Sequence, residues 1–559
     1  MQITNRIHFR NLKGDIFGGV TAAVIALPMA LAFGVASGAG PAAGLWGAVL
    51  IGFFAALFGG TPTLISEPTG PMTVVMTAVV TQLTANNPEN GLYMAFTVVM
   101  IAGVFQILFG LLKLGKYITL MPYTVISGFM SGIGLILIIL QFGPLLGTPN
   151  PKGGVIAALK NAPTVIGSLG THTGEVILGV LTVAVLFLMP SKLKKYVPPQ
   201  LVALIGCTLL SIFLFSGANI KTIPEFSTGL PSLIMPTFTL EQLNSMIIDG
   251  LVLGMLGCID ALLTAVIADS LTQTQHNSDK ELIGQGVANL ASGLLGGLPG
   301  AGATMGTVVN IQAGGRTALS GLSRAFILLI VVVWAAPLTQ NIPLAVLAGI
   351  AFKVGIDIID WKFLRRAHVL SWKAASIMYG VMLLTVFYDL IIAVGLGVFV
   401  ANILTIQKLA NIQADGVKAI DTHEHENISC DIAKHLLQDA KGKIILLDLS
   451  GPMSFGAAKA ITQRQAILDN YKILVIDLSG VPLLGVTATL ALEKTIDDSY
   501  DKGLEVFIVG GEGKVQERLE KFNILDRVPG HHQVGDRVTA LQMAVEQLDN
   551  LSFQSNDTY

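Results

Sequence analysis

Twelve apolar stretches, each close to the ~20 residues an α-helix needs to cross a bilayer, follow one another between residues 15 and 407. They lie near 15–37, 41–59, 92–113, 119–142, 175–190, 200–217, 246–269, 282–298, 320–336, 342–356, 373–390 and 391–407. A helix that is apolar all round must be covered on every face by lipid or by other helices. A soluble enzyme and a disordered scaffold are thereby excluded. The composition agrees: 52% of the 559 residues are hydrophobic and 13% charged, against ~25% charge in a soluble domain. What charge there is crowds towards the end. Residues 411–559 hold 14 Lys+Arg and 22 Asp+Glu, whereas residues 1–410 hold 20 and 14. Residues 1–407 therefore read as a transmembrane unit, 408–426 as a linker, 427–550 as a domain facing water and 551–559 as a tail.

Two further apolar pieces are shorter and broken. Pro68–Leu83 opens with Pro-Thr-Gly-Pro, and Pro299–Ala313 opens with Pro-Gly-Ala-Gly-Ala-Thr. Counting both gives fourteen crossings, with the broken pieces third and tenth, hence third in each set of seven. Their sequences echo each other, Thr69-Gly-Pro-Met-Thr-Val-Val75 against Thr304-Met-Gly-Thr-Val-Val309. An odd number of spans per half inverts the second half, giving a seven-plus-seven inverted repeat over about 14–217 and 246–407. Interrupted segments at matching positions of such a repeat point to a transporter's substrate site; the competing reading is a pair of kinked packing helices. Basic residues orient the chain. Lys113, Lys116, Lys192, Lys194, Lys195, Arg316, Lys362, Arg365, Arg366 and Lys373 fall on the N-terminal side, and only Lys152, Lys160 and Lys221 on the other. The positive-inside rule then places both termini in the cytoplasm and the loop 143–174 outside, in a multi-pass protein of the plasma (inner) membrane.

After Lys408 the period changes. Ile444–Ser450, Ile473–Ser479 and Leu504–Val509 are short β-type runs, each followed by a helix-compatible stretch, which predicts a small α/β domain with a mainly parallel sheet.

Few residues carry chemistry. Asp260 lies mid-span, where a bare carboxylate costs roughly 2.5–3.5 kcal/mol on insertion scales, so it needs a partner; a cation supplies one, and protonation or a structural hydrogen bond are the alternatives. Thr264, four residues on, shares its helix face and adds a neutral oxygen. At the broken segments Gly70 and the Gly300–Ala303 run are expected to leave backbone groups facing a cavity. Two half-helix N-termini together offer about one positive charge. A monoanion held there and a monovalent cation at Asp260 leave the site near neutral, which favours their coupled movement. Thr69, Thr304 and Thr307 add hydroxyls suited to an oxyanion, unless they bond their own helix backbone. Gly128 and Gly132 are spaced for close helix approach.

Other signals fall away. The membrane part carries a net charge of +6 and the tail −8, so no basic field exists for nucleic acid. Cys207, Cys258 and Cys430 form no CxxC or His-linked cluster and read as packing residues. Gly300–Gly306 lacks the Lys of a phosphate loop, His276 reads as solvated, and no nucleophile–base pair or organic-cofactor site is recognisable.

The chain resembles the sulfate permease (SulP) family of anion transporters, which end in a STAS domain. The likeness rests on Ala26-Leu-Pro-Met-Ala-Leu-Ala-Phe33, Glu67-Pro-Thr-Gly-Pro71, Ala301-Gly-Ala-Thr304, Gly314-Gly-Arg-Thr317 and Asp477-Leu-Ser-Gly-Val-Pro482. Within the family, Gly254-Met-Leu-Gly-Cys-Ile-Asp260-Ala-Leu-Leu-Thr264 and Gly300-Ala-Gly-Ala-Thr-Met-Gly-Thr307 resemble its cyanobacterial bicarbonate-transporting branch. The resemblance implies sodium–bicarbonate symport. Sodium is expected at Asp260, Thr264, Gly302 and Thr304, and bicarbonate between Thr69 and the Ala303–Thr304 backbone. It also implies a homodimer and an elevator motion of a core (spans 1–4 and 8–11) against a gate (5–7 and 12–14). Many relatives carry an Arg in the tenth segment; this chain has none, and sodium at Asp260 is expected to replace that charge. Phosphorylated STAS relatives carry Asp-Ser where this chain has Gly485 and Val486, so phosphoregulation there is not expected, although Thr487 remains. Two rivals stand: a proton-coupled sulfate or dicarboxylate transporter of the same fold, and a membrane-tethered signalling module whose STAS domain binds a regulator.

Overall fold

The computed structural model describes residues 4–5, 9–118, 122–149, 154–194, 197–215, 220–224, 230–335, 339–388, 390–421, 430–464 and 471–556. Of the basic residues that orient the loops, Lys152 and Lys195 lie outside these. The chain forms two units, Met1–Ala401 and Asn402–Tyr559.

In a bilayer every backbone polar group must be satisfied within the protein, so the apolar runs become helices. Seven make the first half: α1 (Leu12–Ala36), α2 (Pro41–Phe58), α3 (Gly70–Asn86), α4 (Gly91–Leu111), α5 (Tyr123–Leu145), α6 (Thr173–Leu188) and α7 (Pro199–Leu214). Seven make the second: α8 (Leu240–Thr272), α9 (Ser278–Leu294), α10 (Thr304–Gln312), α11 (Ala318–Ile330, extended by a π turn at Val331–Ala335), α12 (Leu344–Ile358), α13 (Trp372–Phe387) and α14 (Leu390–Asp415). Six of them are long and apolar enough to span a membrane by length and composition alone. Among the described residues, four shorter helices, Gly115–Ile118, Gly154–Gly167, Ser191–Lys194 and Trp361–Leu370, lie between spans.

The packing partners fall into two groups. Helices α1, α2 and α4 pack chiefly with α8–α11, α5 packs with α12 and α13, and α6 packs with α7 and α12, while α1 also packs on α12 and α3 on α5 where the groups meet. Gly128 and Gly132 put α5 hard against α13: a Cβ on Gly128 would sit 2.4 Å from the Met378 carbonyl, and one on Gly132 2.8 Å from Thr385 Cβ. This is the close approach that their spacing predicts. Cys207 and Cys258 are buried free thiols.

In the second unit, strands β3 (Val417–Ile420), β4 (Ile444–Ser450), β5 (Ile473–Gly480), β6 (Glu505–Val509) and β7 (Gln533–Val534) form one sheet in chain order. Strand β3 runs antiparallel to β4 and the other pairings are parallel. Helices cover both faces, so the central strands are apolar without alternation. Ile445, Leu447, Leu474, Ile476 and Ile508 pack on Ala457, Ile461, Leu492 and Val515. Ile444, Leu446, Val475 and Phe507 pack on Ala433, Leu437, Leu541 and Ala544. Beyond β4 and β5, Arg537 donates to Asp477 (2.5 Å) and Asp448 (2.6 Å). Gly485 precedes the helix Val486–Asp501, and Thr487 is exposed in its first turn.

Two boundaries differ from those expected. Helix α14 continues to Asp415 and β3 joins the sheet at Val417, so the first part of the stretch expected as linker is helix and strand. The last helix runs Arg537–Asn556, past the expected domain end at 550.

Candidate functional site

The two broken segments meet. Strand β1 (Ser66–Glu67) pairs antiparallel with β2 (Ala301–Gly302), Ser66 opposite Gly302 and Glu67 opposite Ala301 (β1 and β2 precede β3 in the chain). Extended backbone at this depth is tolerated because it is paired and enclosed by protein. Gly300 permits the crossing: a Cβ there would lie 2.3 Å from the Glu67 carbonyl oxygen. From the crossing, α3 starts at Gly70 behind Thr69, and α10 starts at Thr304 behind Ala303. Neither Thr69 nor Ala303 makes a side-chain cap, which leaves first-turn amides and two positive dipole ends for a ligand.

Helix α8 brings the acid. Thr264 donates its hydroxyl to the Gly302 carbonyl (2.9 Å) and lies 3.0 Å from the Thr304 hydroxyl. One turn earlier, Asp260 faces the Thr69 hydroxyl. Yet Asp260 Oδ2 and Thr69 Oγ1 are both buried and have no hydrogen-bond partner among the described residues. A buried carboxylate oxygen left bare is costly. Three neutral oxygens, those of Thr264, Gly302 and Thr304, cluster beside this helix, and hard cations prefer such oxygen sets. Thr304 itself is exposed, and Asp260 borders a small cavity whose other wall is Val125, Phe129 and Met130 of α5 with Val394 of α14.

The structure thus gathers Thr69, Asp260, Thr264, Gly302, Ala303 and Thr304 at one crossing. Thr307 is not among them: its hydroxyl accepts from the Ile65 amide (3.0 Å) and ties the crossing together. The backbone expected to be free at Gly300–Ala303 is partly taken. Asn289 holds both the amide and the carbonyl of Gly300 (2.9 Å each), and the Ala303 amide donates to Ile65 O (2.8 Å). His276 is not merely solvated either; its Nδ1 lies 2.7 Å from Asp269.

Behind the site lies a scaffold that no sequence motif singles out. Arg324 of α11 is fully buried, pairs with Glu67, and donates to the Ser66 carbonyl (3.2 Å) and Ala48 carbonyl (3.3 Å). Gln285 donates to the Ser66 hydroxyl (2.6 Å), and Asn289 to Gln106 (2.9 Å). The signal was present in two opposite charges inside apolar segments, which need each other. Because Glu67 pairs with Arg324, the guanidinium's charge is neutralised within the scaffold.

Fourteen helices in two sets of seven, with two broken ones meeting at a polar crossing, define a multi-pass membrane transporter, not an enzyme. The chain belongs to the sulfate permease family: residues 12–381 match that family's model, and residues 419–537 match the STAS domain. It is 60% identical over 549 residues to the bicarbonate transporter BicA of Picosynechococcus sp., covering 98% of this chain and 97% of that one. It is 61% identical over 545 residues to BicA of Synechocystis sp., covering 98% and 96%. Among solved structures, the transmembrane domain of a cyanobacterium bicarbonate transporter BicA matches with 67% identity and a TM-score of 0.67, over 70% of this chain and all of that one. The murine Solute Carrier 26 family member A9 anion transporter shares the fold at 16% identity, with a TM-score of 0.81 over 97% and 92% of the two chains.

Proposed function

We propose that this chain imports bicarbonate by sodium symport. The anion binds between Thr69 and the Ala303–Thr304 backbone, at the N-termini of α3 and α10. Sodium binds Asp260, Thr264, Gly302 and Thr304. The observation that carries the reading is the unpartnered Asp260 carboxylate oxygen beside a ready-made set of neutral oxygens, one turn from Thr264. A cation there removes the cost of the bare carboxylate and supplies the positive charge that no arginine offers the anion. The bicarbonate transporters to which the chain is 60% and 61% identical support bicarbonate as that anion.

Transport follows an elevator scheme in which α1–α4 with α8–α11 carry the ions past α5–α7 with α12–α14. The separation of packing partners into these groups, and the small cavity between Asp260 and α5 and α14, support it. The protein works as a homodimer in the plasma membrane with both termini cytoplasmic, where its STAS domain meets a regulator. The test is uptake of radiolabelled bicarbonate into proteoliposomes with and without an inward sodium gradient, comparing wild type with Asp260→Asn. Sodium-driven uptake that the variant loses is the expected result. Sulfate uptake by the wild type with no sodium-driven bicarbonate uptake would overturn the substrate and the coupling.

A further inference from the structure

A second cavity, of about 340 Å³, lies between the two helix groups and away from the crossing. One wall is the end of α1 with Thr77 and Thr81 of α3; the other includes Gln141 of α5, Glu175 of α6 and Lys221. Glu175 is 5% exposed, and its Oε1 has no hydrogen-bond partner among the described residues. Its other oxygen is 3.9 Å from His172 Nδ1. Lys221 donates to the Gly147 carbonyl (3.1 Å); an ammonium has three donors, so two are left for a ligand. The Lys221 strap is held in place, since Leu344 N donates to Lys221 O (2.9 Å) and Ile223 N to Ile342 O (3.0 Å). The cavity therefore offers one unfilled acceptor and fixed donors, in a pocket with one acidic and one basic side chain.

A row of threonines on α3 runs between this cavity and the crossing. Thr69, Thr73, Thr77 and Thr81 recur every four residues and share one face of α3. The hydroxyls of Thr73, Thr77 and Thr81 bond back to the carbonyls four residues earlier (2.7, 2.8 and 2.7 Å). They keep the face polar without presenting strong competing charges. The row ends at Thr69, beside Asp260.

We propose that this cavity is a waiting site on the outer side for a singly protonated oxyanion, a reading that rests on bicarbonate as the substrate. The anion's own O–H donates to Glu175 Oε1, and its other oxygens accept from Lys221 and the Gln141 amide. Chloride and unprotonated sulfate have no proton to give, so Glu175 repels them. The site thus selects for a protonated anion before the crossing is reached.

The test uses the full-length protein with Cys430→Ser and Thr81→Cys, labelled by a membrane-impermeant, negatively charged thiosulfonate reagent; Cys207 and Cys258 are buried. Bicarbonate is expected to slow labelling several-fold, and chloride or sulfate at equal ionic strength is not. Lys221→Gln is expected to remove the protection and Lys221→Arg to keep it, while Glu175→Gln lets chloride protect as well. Asp260→Asn should leave protection intact, because the effect does not depend on transport. Absent protection, equal protection by chloride in the parent protein, or protection that survives Lys221→Gln would overturn the proposal. Protection without sodium-driven uptake would keep this site and remove the symport reading; uptake without protection would do the reverse.

Discussion

Two carboxylates flank the β1–β2 crossing, and they are treated oppositely. Glu67 is buried against the Arg324 guanidinium, which also holds the Ser66 carbonyl. Asp260 is half-buried beside Thr69, with one buried oxygen bare. Both are charges taken out of water, and both need an answer. For Glu67 the answer is covalently part of the chain and therefore permanent. For Asp260 the chain provides only neutral oxygens, and on the symport reading proposed above the answer is a sodium ion that comes and goes. On the symport reading proposed above, the contrast separates scaffold from site, although both residues are carboxylates set among apolar segments.

The largest effect should follow from breaking the permanent pair. Arg324→Ala leaves Glu67 as an uncompensated buried charge and removes donors to two backbone carbonyls, a loss of about 3–5 kcal/mol. Thermal melting of the purified protein in detergent should show a steep drop that sodium does not restore. If Arg324→Ala melts like wild type, Glu67 and Arg324 are not the brace of the crossing. Replacing both partners by apolar residues of similar volume should recover most of the stability.

Asp260 should behave the other way. In sodium-free buffer Asp260→Asn should melt no lower than wild type, because the substitution removes an unanswered charge. Wild type should gain stability with sodium, by about 2.7 kcal/mol at a concentration 100 times the dissociation constant, and the variant almost none. Potassium should not substitute. Thr264→Val sharpens the comparison by removing one neutral ligand; a loss of about 1 kcal/mol raises the sodium half-saturation roughly fivefold. Sodium titrations of melting temperature distinguish all three proteins. A wild type indifferent to sodium would mean that Asp260 is structural after all.

The sequence made the periodic and local features legible. Fourteen spans, the two interruptions and the apolar strands of the tail follow from composition over short windows. Asp260 and Thr264 are visible because they break an apolar helix on one face, and Gly302, Ala303 and Thr304 because they break another. The charges of the scaffold are visible but their pairing is not, because its bonds join separate segments: Glu67 to Arg324, Asn289 to Gly300, Thr307 to Ile65. Each partner alone looks like an isolated polar residue in a span, and only the crossing shows which pairs with which. The same limit explains Thr307, which shares residue type and segment with Thr304 but is spent on the neighbouring strand.

The tail supplies a control for this comparison, because it buries an ionisable group with no ligand in prospect. His532 is 2% exposed, stacked on Phe507 at 4.0 Å between ring centres, with Nδ1 3.1 Å from the Val506 carbonyl. Its Nδ1–H donates to that carbonyl, and Nε2 has no partner among the described residues. Burial, and then the neighbouring His531, push its pKa below the ordinary 6.5, with Glu505 opposing. The folded tail therefore holds His532 neutral while the unfolded chain takes up a proton near pH 6.5. The stability it contributes is present above that pH and is lost as pH falls from 6.5 towards the lowered folded value. Hydrogen exchange of the Val506–Val509 amides, corrected for intrinsic rates, should show protection falling over that window, and His532→Leu should flatten the dependence. The shift is small beside the loss expected for Arg324→Ala, because only the difference between two protonation constants is at stake. Sodium should leave it unchanged, as it should for Glu67 and Arg324. A sodium effect confined to Asp260 and its three oxygen neighbours is what makes that carboxylate a site and the other buried groups a scaffold.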